Sequence, residues 1–323
     1  MFDVAMNVQT TLLNDKVGYN DLSPEMKTYY SKYLIANAEP ELYHDQFGQK
    51  HPIPQNGGKT IEFRKYKSLG KALTPLTEGV TPNGQKLHVS IVEATVAQYG
   101  GYIVLSDMLM LTAIDNNMLQ ATELLGAQAG QTSDTITREV LAAGTNKIMA
   151  QTVATNSVPA TRAALATAGN KLGVYDIRRA VKALKKQNAK PFADGSYVGI
   201  LSPDTAFDLM SDPAWIDASQ YAGSTQIFNG EIGKLYGVRF VETTEAMTFT
   251  ESSKTIAGTL IIGKDAYGVT EIEGGGLQHI VKQKGSAGTA DPLDQRASVG
   301  WKLTKTAEIL VEEYMVRIES VVA

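Results

Sequence analysis

The chain has 323 residues, 43% hydrophobic and 20% charged, with a formal net charge of −4. This is the composition of a folded globular chain, long enough for two modest domains, and no stretch approaches the ~20 consecutive apolar residues of a membrane-spanning helix. The absence of cysteine excludes disulfides, thiolate zinc sites and cysteine nucleophiles, and scattered Lys and Arg give no sequence-level basic face for clamping DNA.

The N-terminus "MFDVAMNVQTTLLND" lacks a basic stretch followed by an apolar core, so it does not read as a secretory signal. The first fifty residues read as an arm. In "LSPEMKTYYSKYLIANAEPELYHDQFG", Ser23 is an N-cap, Pro24 the first helical position and Glu25 an acidic first-turn residue, and Pro40 ends the helix and opens a second short one. Tyr29, Tyr30, Tyr33, Tyr43 and Phe47 are dense for so short a segment. Two readings stand: packing on their own chain, or clamping a neighbouring one.

A hairpin follows. "TIEFRKYK" and "KLHVSIVEATV" have strand character and are joined by "SLGKALTPLTEGVTPNGQ", Ser68 to Gln85. Hairpin strands are normally joined by two to five residues, so this polar, Gly/Pro-punctuated tip calls for a function. In the return strand Leu87, Val89 and Ile91 are odd-numbered, whereas Val92, Ala94 and Val96 are even. Such a parity shift marks a bulge or a change of packing environment, here from projecting arm to core sheet. A lone hairpin is marginal in water, so Ile61, Phe63, Leu87, Val89 and Ile91 need cover, for which a neighbouring chain is a good candidate. "YGGYIVLSD" then gives a break at Gly100–Gly101 and a short buried run.

The longest helical pattern spans Asp115 to Ala143. Met118, Leu125, Ala129, Ile136 and Val140 form one narrow apolar stripe, suited to a spine lying across a sheet, and Gly144 is the stop. "YDIRRAVKALKKQNAK" is a second amphipathic helix with Ile177, Ala180, Val181 and Leu184 inward. "YVGILSPDTAFDLM" reads as strand, Ser202 N-cap, Pro203 and helix. A glycine-rich stretch leads to a strand at Val238–Thr243, and "GTLIIGKDAYGVTEI" and "SVGWKLTKTAEILVEEYMVRIESVVA" supply the closing strands. The order is α+β, without repeats or regular βαβ alternation.

Chemistry-bearing motifs are weak. "NGGKT" (Asn56–Thr60) resembles the end of a phosphate-binding loop, but Ile53 stands where the first glycine belongs and a strand pattern follows. "GGG" at Gly274–Gly276 reads as a turn. His44, His51, His88 and His279 have no metal-ligand spacing. The acidic pairs Glu312–Glu313 and Asp291/Asp294 fit solvated faces or turns better than acid–base work. No enzyme, cofactor or metal site is expected.

"LTEGVTPNGQKL", "GGYIVLSD", the long spine helix, "GEIGKLYGVRFVET" and "ADPLDQRASVGWKL", in this order from about Lys59 to the C-terminus, together resemble a tailed-phage major capsid protein of the HK-ninety-seven fold. The closest branch is that of N-four-like podophages. The resemblance implies an N-terminal arm (1–51), an extended hairpin loop lying on an adjacent subunit (52–92), a peripheral domain with the spine helix (93–165 and 281–323) and an axial domain (166–280). Function would then be self-assembly, as pentamers and hexamers, into an icosahedral head enclosing double-stranded DNA. An encapsulin-like, cargo-holding shell is the alternative. Inter-subunit contacts would come from Ile61, Phe63, Leu73, Pro75, Leu76, Val80, Pro82, Leu87, Val89 and Ile91 of the loop, and from Tyr29, Tyr30, Tyr33, Tyr43 and Phe47 of the arm. Some relatives cross-link the loop through a lysine. Lys59, Lys65, Lys67 and Lys71 are available here, but a non-covalent shell is expected. A separate scaffolding protein, a portal and non-specific DNA contact complete the expected partners, with no membrane, assembly in the host cytoplasm and residence in the virion.

Overall fold

A computed structural model describes residues 32, 34–38, 43–54, 58–66, 69, 71–76, 78–81, 84–112, 117–151, 157–216, 233–270, 272, 275–286 and 291–322. In chain order the elements begin with β1 (Gln49–Lys50), β2 (Thr60–Tyr66), β3 (Val89–Thr95) and β4 (Ala97–Ser106). They continue with α1 (Asp107–Thr112), α2 (Asn117–Ala142), β5 (Lys147–Met149), α3 (Arg162–Ala168) and α4 (Val174–Lys186). After β6 (Tyr197–Leu201) and α5 (Pro203–Met210) come β7 (Lys234–Leu235), β8 (Val238–Glu242), β9 (Thr248–Glu251) and β10 (Lys254–Ile262). The chain closes with β11 (Tyr267–Thr270), β12 (Gln278–Lys282), β13 (Arg296–Ile309) and β14 (Met315–Val321).

The chain gathers into two compact units. One unit gathers Gln98–Ser133, Gly274–Thr304 and the described residues before Tyr43; the other gathers Tyr43–Ala97, Asp134–Glu273 and Lys305–Ala323. Both α2 and β13 are shared, so the cuts fall inside two regular elements. No change in sequence pattern marks them.

The larger unit is organised on a seven-stranded sheet of order β5-β14-β10-β6-β8-β7, with β9 beside β10. Every residue of β6 and β14 is buried, because both faces of the sheet are covered. On one face α4 lays down Ile177, Ala180, Val181 and Leu184, the four positions its periodicity marks, against Leu201, Val238, Ile261 and Ile318. Burying such side chains stabilises by about 1.5–3 kcal/mol each. On the other face Leu141 of α2 joins Val198, Ile200, Leu260, Ile262 and Tyr267. Ser202 caps α5 as its sequence predicts: its side chain accepts from the Thr205 N–H, and the Thr205 side chain accepts in return from the Ser202 N–H.

In the smaller unit β4 and β12 flank the first part of β13. Met118, Leu125 and Ala129 of α2 pack on Val299, Trp301 and Leu303, and the Trp301 indole N–H donates to Gln128 Oε1 at 3.0 Å. This is the spine-on-sheet packing that the stripe predicts. The stripe itself is broader than apolar residues reveal. Thr122, Ser133, Asp134 and Thr137 are all buried, whereas Ile136 and Val140 are only half-buried. Contrary to the buried run expected above, "YIVLS" in β4 is only partly buried. Leu105 faces inward, but Tyr102 and Val104 stand exposed, since alternate strand residues project to opposite faces.

Candidate assembly surface

The hairpin forms as the alternation requires. β2 and β3 pair antiparallel from Thr60↔Thr95 to Tyr66↔Val89, with Phe63 opposite Val92 and Arg64 opposite Ile91. The ladder is continuous through the parity shift, so there is no bulge, and the pairing extends past residue 92 to Thr95. The shift has another cause: Ile91 and Val92 lie on opposite faces, and the chain covers only one of them.

On the covered face Phe63 is 8% exposed and Ala94 3%, with Ile61 and Val92 half-buried. Phe63 lies edge-on to His51 at 5.5 Å and against Gly268 of β11, where an added Cβ would come within 3.0 Å of the ring. Cover for Phe63 is therefore supplied by its own chain, which corrects the expectation that this residue waits for a neighbour. The opposite face is open. Thr60, Glu62, Arg64, Val89, Ile91, Glu93 and Thr95 are all exposed, Ile91 by 54%.

Beyond the ladder the tip carries more exposed apolar surface: Leu73 at 82%, and Leu76, Val80 and Leu87, with Pro75 exposed beside them. Pro82 lies outside the described residues, as do Tyr29, Tyr30 and Tyr33. Gly58 adopts φ +92° and is followed directly by the strand at Thr60, so "NGGKT" lacks the helix a phosphate loop needs.

The segment leading into the hairpin is tied down by buried polar groups. The His44 N–H donates to Asp134 Oδ1 at 2.6 Å, and its ring Nδ1 lies 2.6 Å from Asp134 Oδ2. Asp45 pairs with Lys305 and accepts from Thr137, and the Tyr267 hydroxyl donates to the His44 carbonyl. Burial, reinforced by Asp45 and Asp134, drives the Tyr267 phenol well above its ordinary range, so it stays a neutral donor. Phe47 packs edge-on to Phe192 at 5.9 Å, and Tyr43 is half-buried. Phe47 thus packs on its own chain, and β1 continues the anchorage by pairing in parallel with β11.

A second apolar surface, absent from the expected contacts, lies on the smaller unit: Tyr102 and Val104 of β4, and Met108 and Leu111 of α1. A strand whose residues are apolar at both parities has two apolar faces. That was the available signal.

Among the described residues no cluster of three or more His, Asp or Glu side chains could hold a metal, and no helix is long and apolar enough to cross a membrane. The geometry offers surfaces for association.

The same fold occurs in solved shells. The capsid of cyanophage Pam1 superposes with a TM-score of 0.65 at 14% identity, covering 88% of this chain and 92% of that one. For cyanophage P-SCSP1u the values are 0.65, 12%, 86% and 87%. A virus-like particle from Pyrococcus furiosus also matches, at TM-score 0.52 and 11% identity over 91% of this chain and 99% of that one, so fold alone does not separate phage heads from other shells. The sequence does: the profile of the phage capsid protein family matches residues 90–314. The chain belongs to the phage capsid protein family. No curated protein sequence matches it. As a phage capsid protein it has the HK-ninety-seven fold, is a structural component of the virion and builds the head by association of its copies. The encapsulin-like alternative is not favoured, because the family match is to phage capsids.

Proposed function

We propose that this phage capsid protein closes into an icosahedral head of pentamers and hexamers around double-stranded DNA. In this reading the open face and tip of its β2–β3 hairpin lie on neighbouring copies. The observation that carries the reading is the concentration of exposed apolar side chains there: Leu69, Leu73, Leu76, Val80, Leu87, Val89 and Ile91 all lie within one loop and its flanking strand. Apolar side chains exposed in such number on one element favour an association site. Interfaces repeated around closed symmetry would cover it and supply stability that the free subunit lacks.

The prolines of the tip lower the entropy lost on docking. A separate scaffolding protein and a portal complete the assembly, in the host cytoplasm, and contact with packaged DNA is electrostatic and independent of sequence. Negative-stain electron microscopy of the purified protein tests the proposal: capsomer rings or closed shells are expected, and only discrete single subunits would refute it.

A further inference from the structure

Seven of the chain's thirty basic residues fall within twenty positions, Lys171 to Lys190, beside a single acidic one, although the whole chain carries −4. The helix α4 sorts them. Arg179 meets Asp176 at 3.0 Å, and Lys171 meets Asp208 at 2.7 Å. Arg178, Lys182, Lys185 and Lys186 recur at steps of three and four, so they share the exposed stripe of the helix, and Lys190 follows its end. Exposed Lys264 adjoins Lys190, whose carbonyl accepts its N–H at 2.8 Å. None of these six has an ion pair among the described residues. Lys185 and Lys186 suit the C-terminal end of a helix dipole, but Arg178 and Lys182 stand further back, and like charges at this spacing destabilise a helix. The stripe is unfavourable in the free subunit, and a row of anions laid on it would relieve it.

At its N-terminal end the stripe opens into an aromatic cleft of about 860 Å³. Tyr175, Phe207 and Tyr236 wall it, all at least half exposed, and the Arg178 guanidinium lies 5.3 Å from the centre of the Tyr236 ring. The aspartates that line it are already engaged: Asp208 with Lys171, Asp176 with Arg179, and Asp212 as acceptor of the Val174 N–H at 2.8 Å. Tyr236 is held there against its conformational preference. It and Gly237 form the two-residue turn between β7 and β8, with φ of +49° and +80°. Such a left-handed pair favours Asn-Gly, and a bulky side chain in it is strained. Strain kept at an exposed position points to a use for the ring.

We propose that α4 and this cleft receive an acidic segment of another polypeptide, its carboxylates along Arg178, Lys182 and Lys186 and one apolar side chain between Tyr175, Phe207 and Tyr236. From Arg178 to Lys186 the stripe runs about 12 Å at the helical rise, the length of about four extended residues or two turns of a partner helix. A second copy of the chain does not supply that row, since nowhere does it carry more than two acidic residues in succession, at Glu312–Glu313. Duplex DNA matches the stripe alone: its outward charge is phosphate, and nothing in its backbone fills an aromatic cleft. A carboxylate row with an apolar anchor uses both features, and pockets of this size typically combine aromatic walls with a few charged groups.

Fluorescence anisotropy of the full-length protein with two labelled probes tests it: an octaglutamate peptide carrying one central tryptophan, and a short DNA duplex. The peptide should bind, and bind more weakly as salt rises. Arg178→Glu with Lys182→Glu should lower its affinity at least about tenfold. Phe207→Ser with Tyr236→Asn should lower it about threefold to tenfold. Tyr236→Asn alone relieves the left-handed strain, so it should weaken the peptide without lowering the thermal midpoint, a split that a merely structural tyrosine would not give. Circular dichroism should match the unaltered chain throughout, because all four side chains are exposed. A duplex bound as tightly as the peptide would make the stripe a nucleic-acid face. Peptide binding indifferent to the charge reversal or to the aromatic variants, or no binding at all, would leave it a solvated helix face. Either result overturns the proposal.

Discussion

Arg162 clasps Glu319 through two parallel hydrogen bonds, Nε to Oε2 at 2.8 Å and Nη2 to Oε1 at 2.7 Å. Arg317 Nε adds a third at 3.0 Å, and its Nη1 donates to the carbonyls of Ala142 and Gly144, satisfying the end of α2. The Glu319 side chain is fully buried. Removing one member leaves buried charge without its partner, so Glu319→Ala should cost about 3–5 kcal/mol of subunit stability, read by urea denaturation.

The same cluster sets a pH dependence. Burial alone would raise the Glu319 carboxyl, but the hydrogen bonds from Arg162 and the charge of Arg317 hold it below the ordinary glutamate range. A carboxyl depressed in the folded state contributes stability that is fully present above its unfolded pKa of about 4.3 and is lost as pH falls through the folded value. The stability difference between the unaltered chain and Glu319→Gln should therefore be constant near neutrality and shrink below about pH 4. Equilibrium unfolding across pH 3–7 checks this; a difference that does not change would contradict it.

The two faces of the hairpin should respond differently to substitution. Phe63→Ala empties a site covered by the chain itself and should destabilise the free subunit by about 3 kcal/mol. Ile91→Asp alters the open face and should change subunit stability by less than about 0.5 kcal/mol while preventing assembly. Thermal melts paired with sedimentation velocity separate the two effects.

Replacing Ser68–Gln85 by a two-residue Asn-Gly turn should leave the subunit folded, since the described residues of this tip are exposed. The same variant should lose ring and shell formation, and normal shells from it would remove the tip from the account.

Periodicity made the helices and the hairpin legible. Ile177, Ala180, Val181 and Leu184 announced α4 and steps of seven and four announced α2, whereas the shift at Ile91–Val92, read as passage from arm to core sheet, reflects two apolar faces of one hairpin strand. What it left open was which environment lay on which side. Phe63 and Ile91 look alike in sequence, and only the arrival of Gly268 and His51 against one face distinguishes them. Buried polar groups were illegible for a related reason. Asp134 and Glu319 have no local signal of burial, which depends on their long-range partners His44 and Arg162. The close approach of Tyr102 to Gly300 has no local signal, because it depends on the pairing of β4 with β13, which are distant in the chain.

Amide hydrogen exchange over β3 and the tip, compared between free subunits and assembled shells, tests most directly whether the hairpin is ordered by a neighbour. The account predicts that protection of residues 71–93 rises sharply on assembly, while the wholly buried β14 is protected alike in both states. Equal protection of the hairpin in the free subunit and the shell would contradict it.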